Sequence, residues 1–186
     1  MADNGRRDFM GKVFGGWAAL GGLGALYAAK KSWDPLPSVK AAGFTKVDMT
    51  AAEPNVLNVE KWRGKPVFIL RKTKEMVAKQ SKNETARDVI VEIGGEKVHF
   101  LVCVGLCTHL GCIPAYRPQQ HNFLCACHGA EYDDSAINTK APAPLPMLIP
   151  PFKVAGTTLT IGEEGPQYKK MKELGVLGNK PLNPKA

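Results

Sequence analysis

The sequence predicts an all-β domain, built as an antiparallel sandwich, preceded by a single transmembrane α-helix. Short runs of strand-forming residues recur between turn residues from position 44 onward. Near the N-terminus, Val13 to Ala29 contains no charged residue. Four of the five cysteines fall within 21 residues, from Cys107 to Cys127, so one site dominates the β region. The 186 residues are 44 % hydrophobic and 23 % charged, enough for one modest folded domain plus an accessory segment.

The formal net charge is +8. A basic chain suits nucleic acid, a membrane surface or an acidic partner. No stretch interleaves aromatics with a dense Lys/Arg run, which argues against nucleic acid. The basic residues are scattered, as on a solvated surface.

Residues 1–8 read as a cytoplasmic N-terminus, with Arg6-Arg7 resembling the pair of a twin-arginine export signal. Residues 9–29 read as the transmembrane anchor. Its 21 residues would span about 31 Å as a helix, close to the hydrocarbon thickness of a bilayer. Lys12 can snorkel at one end, and Tyr27 and Trp33 suit the other interface. Gly11, Gly15 and Gly22 share a helical face, where small residues admit a neighbouring helix. No cleavage signal followed by a plausible mature start is evident. The expectation is an uncleaved signal-anchor in a bacterial inner membrane, with the head domain on the periplasmic side.

Residues 30–43 carry Pro35, Pro37 and Gly43 and read as a hinge or linker. Residues 44–162 carry the strand pattern: 44–49, 56–59, 66–71, 89–93, 98–104, 121–126, 152–155 and 158–161. Gly94-Gly95 and Ala155-Gly156 are expected hairpin turns. The polar stretch 74–85 reads as one short helix, and no internal repeat is visible. Residues 163–186, rich in Lys, Gly and Pro, read as a C-terminal surface extension.

The decisive residues are Cys107-Thr108-His109-Leu110-Gly111-Cys112 and Cys125-Ala126-Cys127-His128-Gly129. Each loop offers thiolate and imidazole ligands, which suit zinc or an iron–sulfur cluster. Neither loop holds a carboxylate between its ligands, so calcium and magnesium are poorly served. Four cysteines and two histidines exceed the four ligands one site needs. Two Cys and two His could bind the metal while the remaining pair forms a disulfide. A structural zinc site is the bland alternative, but its usual spacings are Cys-x2-4-Cys and His-x3-5-His. A pure disulfide framework would leave both histidines idle. Cys103, on an apolar run, reads as a buried small hydrophobe, and His99 and His121 as structural residues.

These loops resemble the signature of the Rieske iron–sulfur proteins, and in particular the subunit of bacterial quinol–cytochrome c oxidoreductases of the cytochrome bc1 type. The resemblance implies one [2Fe–2S] cluster, with Cys107 and Cys125 on one iron and His109 and His128 on the other. It also implies a Cys112–Cys127 disulfide, the added pair that separates quinol-oxidising members from ferredoxins and oxygenases. Ala141-Pro142-Ala143-Pro144 resembles the family's Gly-Pro-Ala-Pro loop, which covers the cluster from a third side. Ala141 replaces Gly there, so any left-handed backbone would be strained. Trp62 to Phe68 resembles a strand entry of bacterial members. The fold implied is a sandwich with a small cluster-binding subdomain.

Neutral imidazoles in place of two thiolates lower the cluster's negative charge and raise its potential. Exposed His109 and His128 could also contact quinol and couple proton to electron uptake. The partners implied are a cytochrome b subunit, a c-type cytochrome, quinol and the membrane, in a dimeric complex. A different reading is the small subunit of a periplasmic oxidase such as an arsenite oxidase. Leu110, Gly111, Ala130 and Tyr132 would tune the cluster. High-potential members usually carry Ser where Ala130 stands, while Tyr132 is retained. A hydrogen bond to a charged group is worth about 1.5–3 kcal/mol, equivalent to roughly 60–130 mV for one electron. Ala130 therefore points to a low-potential quinol such as menaquinol. Ala130→Ser should raise the midpoint potential in a redox titration, and an unchanged midpoint would contradict this account.

Overall fold

The computed structural model describes residues 4–41 and 43–182. The chain divides into two compact units, Met1–Ala41 and Ala42–Ala186. The first unit holds α1 (Asn4–Trp33) and the short α2 (Pro37–Ala41). The 30 residues of α1 extend the expected segment at both ends and absorb Arg6, Arg7, Lys30 and Lys31. Its apolar residues, including Phe14, Trp17, Leu20 and Leu23, are exposed. Among the described residues no helix is long and apolar enough to cross a membrane. Length is ample at about 45 Å. Apolarity falls short, because six glycines between positions 11 and 24 dilute the large side chains. The expected linker is partly helical, since α1 runs on to Trp33 and α2 follows; Ala42 lies outside the described residues.

The second unit is a β structure whose named strands pair antiparallel. Its strands are β1 (Thr45–Asp48), β2 (Leu57–Trp62), β3 (Lys65–Arg71), β4 (Val89–Ile93) and β5 (Glu96–Val104). There follow β6 (Ala115–Arg117), β7 (Asn122–Cys125), β8 (Ala130–Tyr132) and β9 (Asn138–Lys140). The last are β10 (Phe152–Ala155) and β11 (Thr158–Ile161). They form three sheets, in the orders β1-β11-β10, β2-β3-β5-β4 and β6-β7-β8-β9. Gly94-Gly95 turns the β4–β5 hairpin as expected, and Gly156 lies in the β10–β11 turn.

The central sheet is buried on both faces, which is why β3 and β5 read as unbroken apolar runs. Val67 and Ile69 of β3, with Phe100 and Val102 of β5, face a core shared with β10 and β11. Their neighbours Phe68, Leu70, Leu101 and Cys103 point the other way, into a second core with Phe123, Cys125 and Tyr132. Phe68 and Phe123 stack with centroids 5.6 Å apart. The four-stranded sheet β6–β9 is therefore a small subdomain seated on one face of the larger one. Strands β6, β8 and β9 span three residues each, too few for a period of two to register.

The expected single helix at 74–85 is two short helices, α3 (Lys74–Lys79) and α4 (Lys82–Ala86). Ser81 interrupts it by capping the second, its side chain accepting from the Glu84 N–H while Glu84 reaches back to the Ser81 N–H. The C-terminal segment also departs from expectation. It is not a surface extension: α5 (Pro166–Leu174) inserts Tyr168 and Met171 into the first core, followed by Val176 and Leu177. The signals are present in the sequence, with Pro166 opening the helix, Gly175 closing it and apolar residues spaced by three, but lysines are interleaved among them in equal number. Met171→Ala should cost about 2–5 kcal/mol in urea unfolding, whereas a surface position would cost under about 0.5 kcal/mol.

Candidate functional site

Two loops of the small subdomain build the site. The first leaves β5 and carries Cys107, His109 and Cys112; the second joins β7 to β8 and carries Cys125, Cys127 and His128. The loops have matching backbone geometry. Gly111 N–H donates to Cys107 O at 2.8 Å, and Gly129 N–H donates to Cys125 O at 2.9 Å. Both glycines sit at positive φ, +82° and +75°, where a side chain would be strained. Cys112 and Cys127 form a disulfide that ties one loop to the other.

Cys107 and Cys125 are buried, 4 % and 1 % exposed. Cys125 Sγ lies within 4.8 Å of both disulfide sulfurs. The His109 and His128 rings meet edge to face with centroids 4.6 Å apart. His128 is exposed, while His109 is half-buried and its Nδ1 is buried with no hydrogen-bond partner among the described residues.

The surroundings of Cys107 favour its thiolate. Burial works against ionisation, but the Tyr132 hydroxyl and the backbone N–H groups of His109 and Leu110 outweigh it and hold the thiol below its ordinary value. Burial and the neighbouring Cys107 push Cys125 up. The Tyr132 hydroxyl donates to Cys107 Sγ at 3.3 Å and accepts from the Thr108 N–H at 2.9 Å. Thr108 Oγ1 donates to Leu145 O at 2.7 Å and lies 3.1 Å from the Tyr132 hydroxyl, so it can share the Tyr132 proton with the sulfur. Thr108 was not singled out from sequence; its only signal was a hydroxyl between two ligand candidates.

Ala130 is fully buried and pairs with Cys125 across β7 and β8, so its methyl group offers no hydrogen bond at this point. Leu110 is 71 % and Ile113 63 % exposed, forming an apolar rim on the first loop. In the proline loop Ala143 is buried, while Ala141, Pro142 and Pro144 are exposed. Asn138 Nδ2 donates to Ala143 O at 3.0 Å, and Thr108 ties the following Leu145 to the first loop. The Ala141–Pro142 peptide is cis, and Ala141 is not among the residues at positive φ, so the feared strain does not arise. Cys103 is an inert buried thiol, pushed up to about 12 by burial. His99 Nδ1 pairs with buried Asp88 at 2.9 Å, a structural role as expected.

Two buried thiols, one of them surrounded by donors, and a buried imidazole nitrogen lacking a partner fit a thiolate–imidazole iron–sulfur centre. The fold and this donor set define an all-β electron-transfer protein of the iron–sulfur class. A family model for the Rieske [2Fe-2S] domain matches residues 54–153. The "Ubiquinol-cytochrome c reductase iron-sulfur subunit" of Bradyrhizobium diazoefficiens is 37 % identical, covering 84 % of this chain and 94 % of that relative. The protein of the same name from Allochromatium vinosum is 34 % identical over 79 % of this chain and 84 % of its own length. A chain of a "Hyperthermophilic respiratory Complex III" matches with a TM-score of 0.58 at 33 % identity, covering 80 % of this chain and 98 % of that one. The chain belongs to the Rieske [2Fe–2S] family, and its cofactor is a Rieske-type [2Fe–2S] cluster.

Two outcomes follow from this geometry. Tyr132→Phe should lower the midpoint potential by roughly 60–130 mV, the worth of one hydrogen bond to a charged sulfur. Asp133, the next residue, has a buried Oδ2 with no partner among the described residues. Burial pushes its carboxyl from 3.8 up to about 7, against the Ile137 N–H and with help from Asp134 and Glu84. The folded state thus binds this proton more tightly than the unfolded chain, so its stability falls as pH rises from about 4 through about 7. In Asp133→Asn, urea unfolding between pH 6 and 8 should show a flatter dependence on pH than the parent.

Proposed function

We propose that this chain is the iron–sulfur subunit of a respiratory quinol–cytochrome c oxidoreductase and acts only within that complex. The observation that carries the reading is the disulfide-tied pair of loops, which presents His128 to solvent beside His109. Relatives covering most of the chain bear the same subunit name. Cys107 and Cys125 are assigned as ligands to one iron, and His109 and His128 as ligands to the other. The cluster, when bound, supplies a one-electron acceptor whose potential is raised by the two imidazoles.

The protein's own residues do the rest. His109, held through its buried Nδ1, and exposed His128 offer their remaining ring nitrogens to a quinol hydroxyl and take its proton. The apolar rim of Leu110 and Ile113 excludes water around that hydrogen bond and seats the head on a cytochrome b subunit. Tyr132 holds a proton on Cys107 Sγ. The buried methyl of Ala130 lowers the potential and suits the site to a low-potential quinol such as menaquinol. A c-type cytochrome receives the electron, and the complex is a dimer. In this reading α1 holds the subunit to a bacterial cell membrane, with the head on the periplasmic side. The glycine face of α1 packs on partner helices and offsets its modest apolarity.

Purification of the tagged full chain from membranes, combined with a redox titration followed by electron paramagnetic resonance, tests this. Co-purification with b- and c-type haem and a signal that grows on reduction are the expected results. A cluster signal with no b-type cytochrome would overturn the assignment to this complex.

A further inference from the structure

Outside the redox centre, the least expected groups in the molecule are two buried cations. Arg87 is 0 % and Lys72 4 % exposed. Among the described residues the Arg87 guanidinium bonds to no carboxylate. Its Nε donates to Ser135 O at 2.8 Å, Nη2 to Met147 O at 2.7 Å and Nη1 to Val176 O. Lys72 Nζ donates to Asp88 Oδ1 and to Ser135 Oγ, each at 2.6 Å. Burying such charges is costly, and the cost is offset only when every donor finds an acceptor. Here the acceptors belong to segments far apart in the chain, and two of those segments lead to Tyr132.

The first is the turn directly after Tyr132. Asp133 N–H donates to Ile137 O at 2.9 Å, and Ala136 N–H to Asp133 O at 3.0 Å. Ala136, fully buried, sits at φ +58°, in the left-handed region where a side chain is strained. Such a turn persists only when its surroundings hold it. Arg87 and Lys72 both grip it at Ser135, and Met147 N–H donates to Ala136 O at 2.9 Å. The second segment runs from the proline loop to Met147. Arg87 holds it at Met147 O, two residues beyond Leu145, whose carbonyl fixes Thr108. Thr108 N–H in turn donates to the Tyr132 hydroxyl. The backbone of Tyr132 and its hydroxyl are thus both tied to Arg87 by separate routes, and Lys72 adds a second grip on the turn at Ser135.

We propose that Arg87 and Lys72 are positioning residues for the redox centre, holding the Tyr132 hydroxyl on Cys107 Sγ by clamping the 133–137 turn and the segment after the proline loop. This rests on Cys107 being a cluster ligand. The test is a double-mutant cycle in the full-length, cluster-loaded protein, read as midpoint potential and as the g values of the reduced cluster. Ser135→Ala removes one grip by a small change, and Arg87→Lys loosens the other. Each should shift the reduced-to-oxidised ratio at fixed ambient potential by at least about threefold toward oxidised, where about 59 mV reads as tenfold. In the Tyr132→Phe background neither should shift it further. Equal shifts in both backgrounds, as general loosening would produce, overturn the proposal. So does an unchanged midpoint in Ser135→Ala, which decides the matter should Arg87→Lys fail to assemble. A Tyr132→Phe protein with an unchanged midpoint overturns the ligand reading of Cys107 along with the clamp. A shift in Tyr132→Phe with none in the clamp variants overturns the clamp alone.

Discussion

The two-sided burial of strands β3 and β5 is the constraint on which the rest of this domain depends. Side chains alternate between faces with a period of two, so one run of apolar residues furnishes two cores at once. Val67, Ile69, Phe100 and Val102 join the larger β structure and α5, while Phe68, Leu70, Leu101 and Cys103 support the small subdomain. A slip of one residue in either strand would exchange the two sets. The site is built on the second of these cores. Cys107 and Cys125 belong to it, and Phe123, which stacks on Phe68, stands two residues before Cys125.

On that base the two loops are fixed by three kinds of bond. The disulfide joins them covalently, the paired glycine turns set their backbone course, and the Thr108–Tyr132–Cys107 hydrogen bonds place a donor on sulfur. Each bond serves a different requirement of a cluster that two separate segments must share. The turns set the course of each loop, the bridge keeps the loops together, and the Tyr132 hydroxyl places a donor on Cys107 Sγ. The His109 and His128 rings meet edge to face, His128 is exposed, and the same first loop exposes the apolar Leu110 and Ile113.

Much of this is legible in the sequence alone. Strands β4, β10 and β11 coincide with their apolar runs and β3 and β5 nearly do, whereas β2 runs three residues beyond its expected end. The three-residue strands around the site leave no periodic trace, because they are short and flanked by cysteines, histidines and turn residues chosen for other reasons. Helix α5 was hidden by its lysines, which cover a narrow apolar stripe of Tyr168 and Met171. The N-terminal segment was read correctly as a helix, but its glycines weigh more against membrane crossing than its lack of charge suggested.

Sequence by itself determined the chemistry of the centre. Thiol and imidazole groups at Cys-x-His and Cys-x-x-His spacing, with two more cysteines, admit few other uses, because ligand type and short-range spacing are local properties. Tertiary structure alone decided how that chemistry is held. Nothing local marks Thr108 as the partner of Tyr132, or Arg87 as the donor to carbonyls of Ser135, Met147 and Val176, lying 48, 60 and 89 residues away. Those bonds exist because two packed cores bring distant segments together and shut out water, leaving buried polar groups only one another to satisfy.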